Sequence, residues 1–393
     1  MRKKTLNDVD VGGKRVLVRV DFNVPLEDGR VGDDTRIRAA LPTIRELRRR
    51  GAMAILATHL GRPDGKVVEA LRVAPVARRL EEVLGAPVAT APDCVGPPAE
   101  RAVGGLQPGG VLLLENLRFH PEEEANDSEF ARQLASLAEV YVNDAFGTAH
   151  RAHASTVGVA RYLPAVAGLL LQRELDVMGR ALVRPERPFV AVVGGKKVSD
   201  KIGVLNNLLQ RADRLLIGGA MANTFLKAHG LDVGQSYYEP DVLDLAARLV
   251  RQARAEGKEL LLPRDCVVAA GLEPPVSPEV VPVTAVPHDR MIVDIGPETV
   301  RRFAQALQAA KTVIWNGPMG IFEIEPFATG TREVARALAA VQGTTIVGGG
   351  DSVAALEEAG LADRVTHVST GGGATLEFLE GKELPGVAAL DDA

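Results

Sequence analysis

Cysteine is almost missing: Cys94 and Cys266 are the only two in 393 residues, far apart and without CxxC spacing. That excludes a disulfide framework, implies no zinc site and suits a reducing compartment. No apolar run approaches the roughly 18 residues that a membrane-spanning helix needs, and the opening MRKKTLNDVD has no hydrophobic core of a secretion signal. Neither membrane nor export is expected, and the cytoplasm is the expected location. Positive charge is not in excess either. The net charge is −5, so no global field marks a nucleic-acid binder, and anion binding would rest on locally placed arginines. A GxxxxGK[ST] phosphate loop is absent, no turn matches GxGxxG after a first strand, and there is no HRD-like base motif. A P-loop enzyme and a nicotinamide dehydrogenase are therefore disfavoured. What the chain does have is glycine, 40 of 393 residues or roughly 10% against the usual ~7%, without repeat periodicity. Those glycines must serve local backbone geometry.

The most informative stretch is FVAVVGGKKVSDKIGVL, residues 189–205. Phe189 to Val193 read as a strand buried on both faces, and Gly194 and Gly195 permit a tight turn. A helix is expected next, capped by Ser199 or Asp200, with Lys197 and Lys201 four apart near its positive end. Free N–H groups, helix dipole and ammonium groups suit a polyphosphate. An ordinary strand-to-helix turn with solvated lysines would contain the same residues; repetition along the chain decides between them.

In the first half, apolar runs alternate with helical patterns: RVLVRV (15–20), RAALPTIRELRRRG ending at Gly51, AMAILATHL (52–60), APVARRLEEVLG (74–85), VLLLENLRF (111–119), a helix near 128–138 and EVYVNDAF (139–146). This predicts a parallel sheet covered by helices, whose ligands sit beyond the strands' carboxyl ends. Those ends carry Asp21 and Asn23, His59 and Arg62, Arg118, then Asn143, Asp144, His150, Arg151 and His153, while Arg36 precedes the first long helix. One such arginine is ordinarily a solvated surface residue. Four, each just beyond a strand or its connection, predict a bowl for a small, multiply charged anion, with Asp21 and Asn23 orienting a hydroxyl. His150 and His153 lack a partner at metal-ligand spacing and are disfavoured as ligands. A helix from about Ala165 to Val183, opening after Pro164 and closed by RPERP (184–188), is the expected interdomain connector.

In the second half the strand ends change to glycine: LLIGGAMANTF (215–225, with Gly219 in its turn), TVIWNGPMGIF (312–322), TIVGGGDSVAAL (345–356) and HVSTGGGATLEFL (367–379). Backbone N–H groups bind phosphate without long side chains, so this half is expected to hold a nucleotide. Asp351, after Gly348 to Gly350, suits a nucleotide-bound magnesium ion or a helix N-cap, or both. Glu323 suits ribose hydroxyls. An anion bowl in one lobe and a nucleotide site in the other suggest phosphoryl transfer across a cleft. A carboxylate acceptor, already ionised at neutral pH, would need no general base.

RVDFNVP (19–25), HLGRP (59–63), ENLRF (115–119), AHRAHAS (149–155), GGKKVSDKI (194–202), WNGPMGIFE (315–323), GGGDS (348–352) and STGGGAT (369–375) occur in this order over nearly the whole chain. Together they resemble the phosphoglycerate kinase family. The resemblance implies an α/β protein of two doubly wound, Rossmann-like parallel-sheet lobes joined by an interdomain helix. The segments would be a substrate domain (1–164), a connector (165–188), a nucleotide domain (189–375) and a tail (376–393) returning to the first domain. It further implies a cytoplasmic, monomeric enzyme passing a phosphoryl group between 1,3-bisphosphoglycerate and ADP with Mg2+, giving 3-phosphoglycerate and ATP.

Carried over position by position, the glycerate ligands would be Asp21, Asn23, Arg36, His59, Arg62, Arg118 and Arg151. Arg36 and Lys201 would stabilise the transferring group, and the helix opening at Gly371, Gly372 and Gly373 would point its N-terminus at the moving charge. The nucleotide would lie against Gly194, Lys197, Lys201, Gly219, Asn316, Glu323, Gly349, Gly350, Asp351 and Ser352, with Asp351 toward the metal. One departure is Lys196, where the family commonly has alanine. Its neighbours are intact, so it is expected to point to solvent, and Lys196→Ala should leave the ADP KM within about twofold. Two other classes stand as rivals: a non-catalytic phosphometabolite sensor, and, more weakly, the dehydrogenase. The single tryptophan, Trp315, is expected beside the nucleotide, where its fluorescence would distinguish ADP from NADH.

Overall fold

The computed structural model describes residues 2–274 and 276–393. Two compact units form, one running up to Asp176 and including Glu383–Ala393, the other Val177–Lys382. The two expected parallel α/β sheets are the frames of these units.

In the first unit the apolar runs of the sequence become short buried strands, joined by an exposed edge strand, Ala89–Thr90. The sheet order is Ala89–Thr90, Val111–Leu113, Met53–Ala57, Arg15–Arg19, Val140–Asn143, Ala165–Ala167, with every neighbouring pair parallel. Chain order reverses direction across Arg15–Arg19, which makes the crevice beyond it and Val140–Asn143 the topological switch point. Register fixes what emerges there. Arg19 sits opposite both Ala57 and Asn143, so Asp21, Asn23, His59 and Asp144 leave the sheet at one edge. The helix Thr35–Arg49 buries Ile37, Ile44 and Leu47 on one stripe. At roughly 1.5–3 kcal/mol per buried side chain, that stripe anchors the helix whose first turn carries Arg36.

The segment Ala165–Ala167 is a strand, not the start of the expected helix. All three residues are buried and pair with Tyr141–Asn143, while Ala167 N–H donates to the Lys4 carbonyl. Tertiary pairing outweighs the helix propensity of alanine here. The helix begins at Leu169 and runs to Val183. Its entry is held by buried Asp144, whose carboxylate accepts from Leu170 N–H at 2.9 Å and Leu171 N–H at 3.3 Å. Burial dominates, and the Asp144 carboxyl is pushed up to about 6. The segment Glu383–Ala393 closes on the same unit: Asn143 Nδ2 donates to the Gly386 carbonyl at 3.0 Å, and Lys3 Nζ to those of Ala388 and Leu390 at 3.0 and 2.7 Å.

The second unit repeats the plan, in the order Glu259–Leu261, Arg214–Ile217, Phe189–Val193, Thr312–Asn316, Thr344–Gly348, His367–Val368, again all parallel. Val193 lies opposite Ile217 and Asn316, and Asn316 opposite Gly348, so the glycine turns leave at one height. A separate antiparallel sheet, Glu279–Pro282, Asp265–Ala269 and Met291–Ile295, has no counterpart in the sequence reading. Its strands are short and set among prolines, and two of them carry exposed or half-exposed residues that blur the alternation.

Candidate active site

The arginine-rich strand ends of the first unit do converge. Arg36 Nη1 lies 3.3 Å from an Asp21 carboxylate oxygen and donates to the Asn23 carbonyl at 3.0 Å. Asn23 Oδ1 accepts from Gly61 N–H at 2.8 Å, and Arg118 Nη1 donates to the Gly61 carbonyl at 2.9 Å. Arg118 Nε also meets Glu124 at 3.1 Å, and Arg151 Nε meets His150 Nε2 at 3.3 Å. Arg62 is exposed and makes no hydrogen bond or ion pair with a described residue. His59 is buried in the midst of this group. Burial first, then the charges of Arg19, Arg118, Arg151 and Arg36, hold its imidazole well below the ordinary histidine range. His59 is therefore neutral at neutral pH and adds no charge to the group. His153 is driven down to about 4 by burial first, then by Arg19, Arg118, Arg151 and His150.

Arg19 is the residue that sequence reasoning passed over. It ends a strand buried on both faces and is itself buried, which demands partners for its charge. It has them: Nε donates to Ser155 Oγ at 2.8 Å and Nη2 contacts His59 Nδ1 at 3.1 Å. Ser155 in turn donates from N–H and Oγ to fully buried Glu123 at 2.9 and 2.5 Å. The available signal was a charged residue inside the otherwise apolar run RVLVRV.

In the second unit, the turn after Phe189–Val193 is shaped by close backbone approach. Gly219 has φ +68°, and a Cβ there would stand 2.6 Å from Gly195 N and O. Gly349, at φ +94°, caps the helix Gly350–Glu358, and its missing Cβ makes room for the Asn316 amide, which donates to the Gly348 carbonyl at 2.8 Å. Buried Ser352 Oγ accepts from Gly317 N–H at 2.5 Å. Lys201 Nζ donates to the Gly194 carbonyl at 2.6 Å and the Asn316 carbonyl at 3.1 Å. Desolvation brings its ammonium down to about 8, against the opposing pull of Asp351 and Asp200. Lys197 is exposed, so the two lysines do not share the common surface position that their spacing suggested.

Two expectations about caps are corrected. Neither Ser199 nor Asp200 caps the following helix. Glu239, from a distant segment, accepts from Val198 N–H at 2.6 Å, Ser199 N–H at 3.2 Å and Ser199 Oγ at 2.5 Å. Asp351 is not an N-cap either. It is the second residue of its helix, is exposed, and makes no hydrogen bond to a described residue, which leaves its carboxylate available. Gly372, with φ +50°, is the N-cap of the short helix Gly373–Leu379.

A cavity of about 470 Å³, large enough for a nucleoside, opens beside these turns. Gly219, Glu323 and Asp351 line it, as do Asn223, Tyr237 and Ile292. Lys196 reaches the same wall, exposed, with Nζ 5.1 Å from the centre of the Tyr237 ring. Trp315 does not line it. It is buried in the core of the unit, and its indole donates to the Gly317 carbonyl at 2.8 Å.

The phosphoglycerate kinase family model matches residues 6–382. The chain is 64% identical over 392 residues to a phosphoglycerate kinase of Moorella thermoacetica and 60% identical to one of Pelotomaculum thermopropionicum, with 100% of each chain covered in both cases. Among solved structures, phosphoglycerate kinase from Coxiella burnetii superposes with a TM-score of 0.90 at 43% identity, and that from Pyrococcus horikoshii with 0.86 at 36%, each covering 98% of both chains. The chain belongs to the phosphoglycerate kinase family.

Proposed function

We infer that this chain carries out the family's reaction, reversible transfer of a phosphoryl group from 1,3-bisphosphoglycerate to ADP, with named groups in each unit. The observation that carries the assignment is the pairing of two chemistries: a convergent arginine group around a neutral histidine in one sheet, and a glycine edge with a buried lysine in the other. Asp21, Asn23, Arg36, His59, Arg62, Arg118 and Arg151 bind the glycerate, with Asp21 and Asn23 on its hydroxyl. Gly194, Lys197, Lys201, Gly219, Asn316, Glu323 and the Gly349–Ser352 turn bind the nucleotide. Arg36, Lys201 and the N–H groups at Gly372 and Gly373 meet the charge of the moving phosphoryl group. No general base is required, because the acceptor carboxylate is ionised at neutral pH.

Asp351 fits a nucleotide-borne Mg2+, a hard cation that takes one or two carboxylates together with phosphate oxygens. When bound, such an ion neutralises developing phosphate charge. The chain acts as a cytoplasmic monomer in this scheme. A non-catalytic sensor would require a broken site, whereas Arg36, Lys197, Lys201 and Asp351 are all present.

Calorimetric titration tests the division of labour. Arg118→Ala should weaken 3-phosphoglycerate about tenfold or more, the loss of a charge-assisted contact, while leaving Mg–ADP affinity nearly unchanged. Asp351→Ala should do the reverse. Both variants weakening the same ligand would overturn the assignment.

A further inference from the structure

We propose that Asp93, Cys94 and His120 form a binding site for a borderline divalent metal ion of the Zn2+ type, unrelated to the nucleotide's cation. The sequence implied no zinc site because the residues are not at motif spacing. The fold brings them together from two segments: Asp93 and Cys94 just before the helix Gly96–Gly104, and His120 before the short helix Pro121–Glu124. One ligand atom from each of the three lies within 4.8 Å of the others. Tetrahedral zinc with ligands at about 2.0–2.3 Å sets donor separations of roughly 3.3–3.8 Å, so side-chain adjustments of about 1 Å suffice, with the hydrogen-bonded His120–Asp93 pair opening to admit the ion.

The donor types decide the metal class. A thiolate, an imidazole and one carboxylate suit zinc or cobalt and disfavour magnesium, which prefers an all-oxygen shell. Three protein ligands also leave a fourth position for water. Cys94 is buried, while His120 and Asp93 keep 29% and 40% of their side-chain exposure, so an ion could enter from the solvent side. His120 Nε2 and Asp93 Oδ1 are 2.7 Å apart and bonded to each other, and the His120 ring lies 5.2 Å from that of Phe130. The same Asp93 oxygen accepts from Cys94 N–H at 2.7 Å. The His120–Asp93 contact thus already holds two of the three donor side chains side by side, and the Cys94 N–H bond fixes the Asp93 carboxylate beside the cysteine. His120 lies two residues from Arg118, so occupancy would restrain the segment that presents this arginine.

The test is a Co2+ titration of the full chain, without nucleotide, followed by absorption. A sulfur-to-cobalt charge-transfer band should grow to one equivalent, a signature that oxygen-only sites cannot give. Cys94→Ser should abolish it, His120→Gln should weaken cobalt binding about tenfold or more, and Cys266→Ser should leave it intact. No sulfur band in the native chain, or a band that survives Cys94→Ser, overturns the proposal. If Cys94→Ser does not fold, His120→Gln decides, because its site is partly exposed; unchanged cobalt affinity in that variant also overturns it.

Discussion

Arg36→Ala is expected to lower turnover by roughly 10³-fold or more while leaving the fold in place. In phosphoryl transfer the charge spreads over the three equatorial oxygens of the moving group, and catalysis is mostly positioning and neutralisation. The proposed role of Arg36 fits its setting. It stands in the first turn of a helix anchored by Ile37, Ile44 and Leu47, and among the described residues only its Nη1 is engaged, by Asp21 at 3.3 Å and the Asn23 carbonyl at 3.0 Å. The rest of the guanidinium fork remains free to grip phosphoryl oxygens, and its charge does not titrate. The stability cost should be small, because a partly exposed ion pair contributes about 0–1 kcal/mol. Steady-state kinetics with thermal unfolding checks both halves. A transition-state role requires kcat and kcat/KM to fall together; a loss confined to KM would make Arg36 a binding residue only. Arg36→Lys should not restore the rate, since a point charge lacks the planar fork.

Lys201→Met is expected to cost about 10²–10³ in kcat, the usual effect of removing one preorganised donor from a developing charge. A pH profile gives a sharper check. In the free enzyme the ammonium titrates at about 8, because burial outweighs the favourable charges of Asp351 and Asp200. In the proposed role the charged form binds phosphate, so kcat/KM for the nucleotide should fall as pH rises through about 8. Lys201→Arg should remove that alkaline limb whatever its absolute rate, as its charge persists.

Stability must move the other way. The folded chain releases this proton near 8 and the unfolded chain only near the ordinary lysine value of 10.5. In that window the unfolded state binds more protons, so the lysine's contribution to stability increases with pH. An alkaline loss of activity accompanied by undiminished thermal stability would therefore belong to Lys201 and not to unfolding. A flat kcat/KM profile from pH 7 to 10 would contradict the role.

Much of this site was legible because parallel-sheet strands are continuous apolar runs, and the residues just past each run lie at one edge of the sheet. That is why Asp21, His59 and Arg118 could be grouped before any contact was known, and likewise Gly194, Gly219 and Asn316. Arg19 escaped for the same reason. It lies inside a run, where pattern reading counts the apolar neighbours and passes over the charge. Ala165–Ala167 has no local strand signal; its conformation is set by Tyr141–Asn143 and Lys4, the latter far away in sequence. The cap on Val198 and Ser199 comes from Glu239, about 40 residues downstream, and no local motif announces a borrowed carboxylate. The sequence places Lys196 in solvent. It is exposed, and it also stands over Tyr237, a cation–π contact that requires the fold to bring two turns together.

The most direct measurement is a coupled assay of the native chain for ATP-dependent phosphorylation of 3-phosphoglycerate in the presence of Mg2+. Turnover in the ordinary enzyme range, about 10 s⁻¹ or faster and dependent on both substrates, is the predicted result. A chain that is folded and binds ADP yet turns nothing over would contradict the assigned reaction and leave the two sites as a binding scaffold.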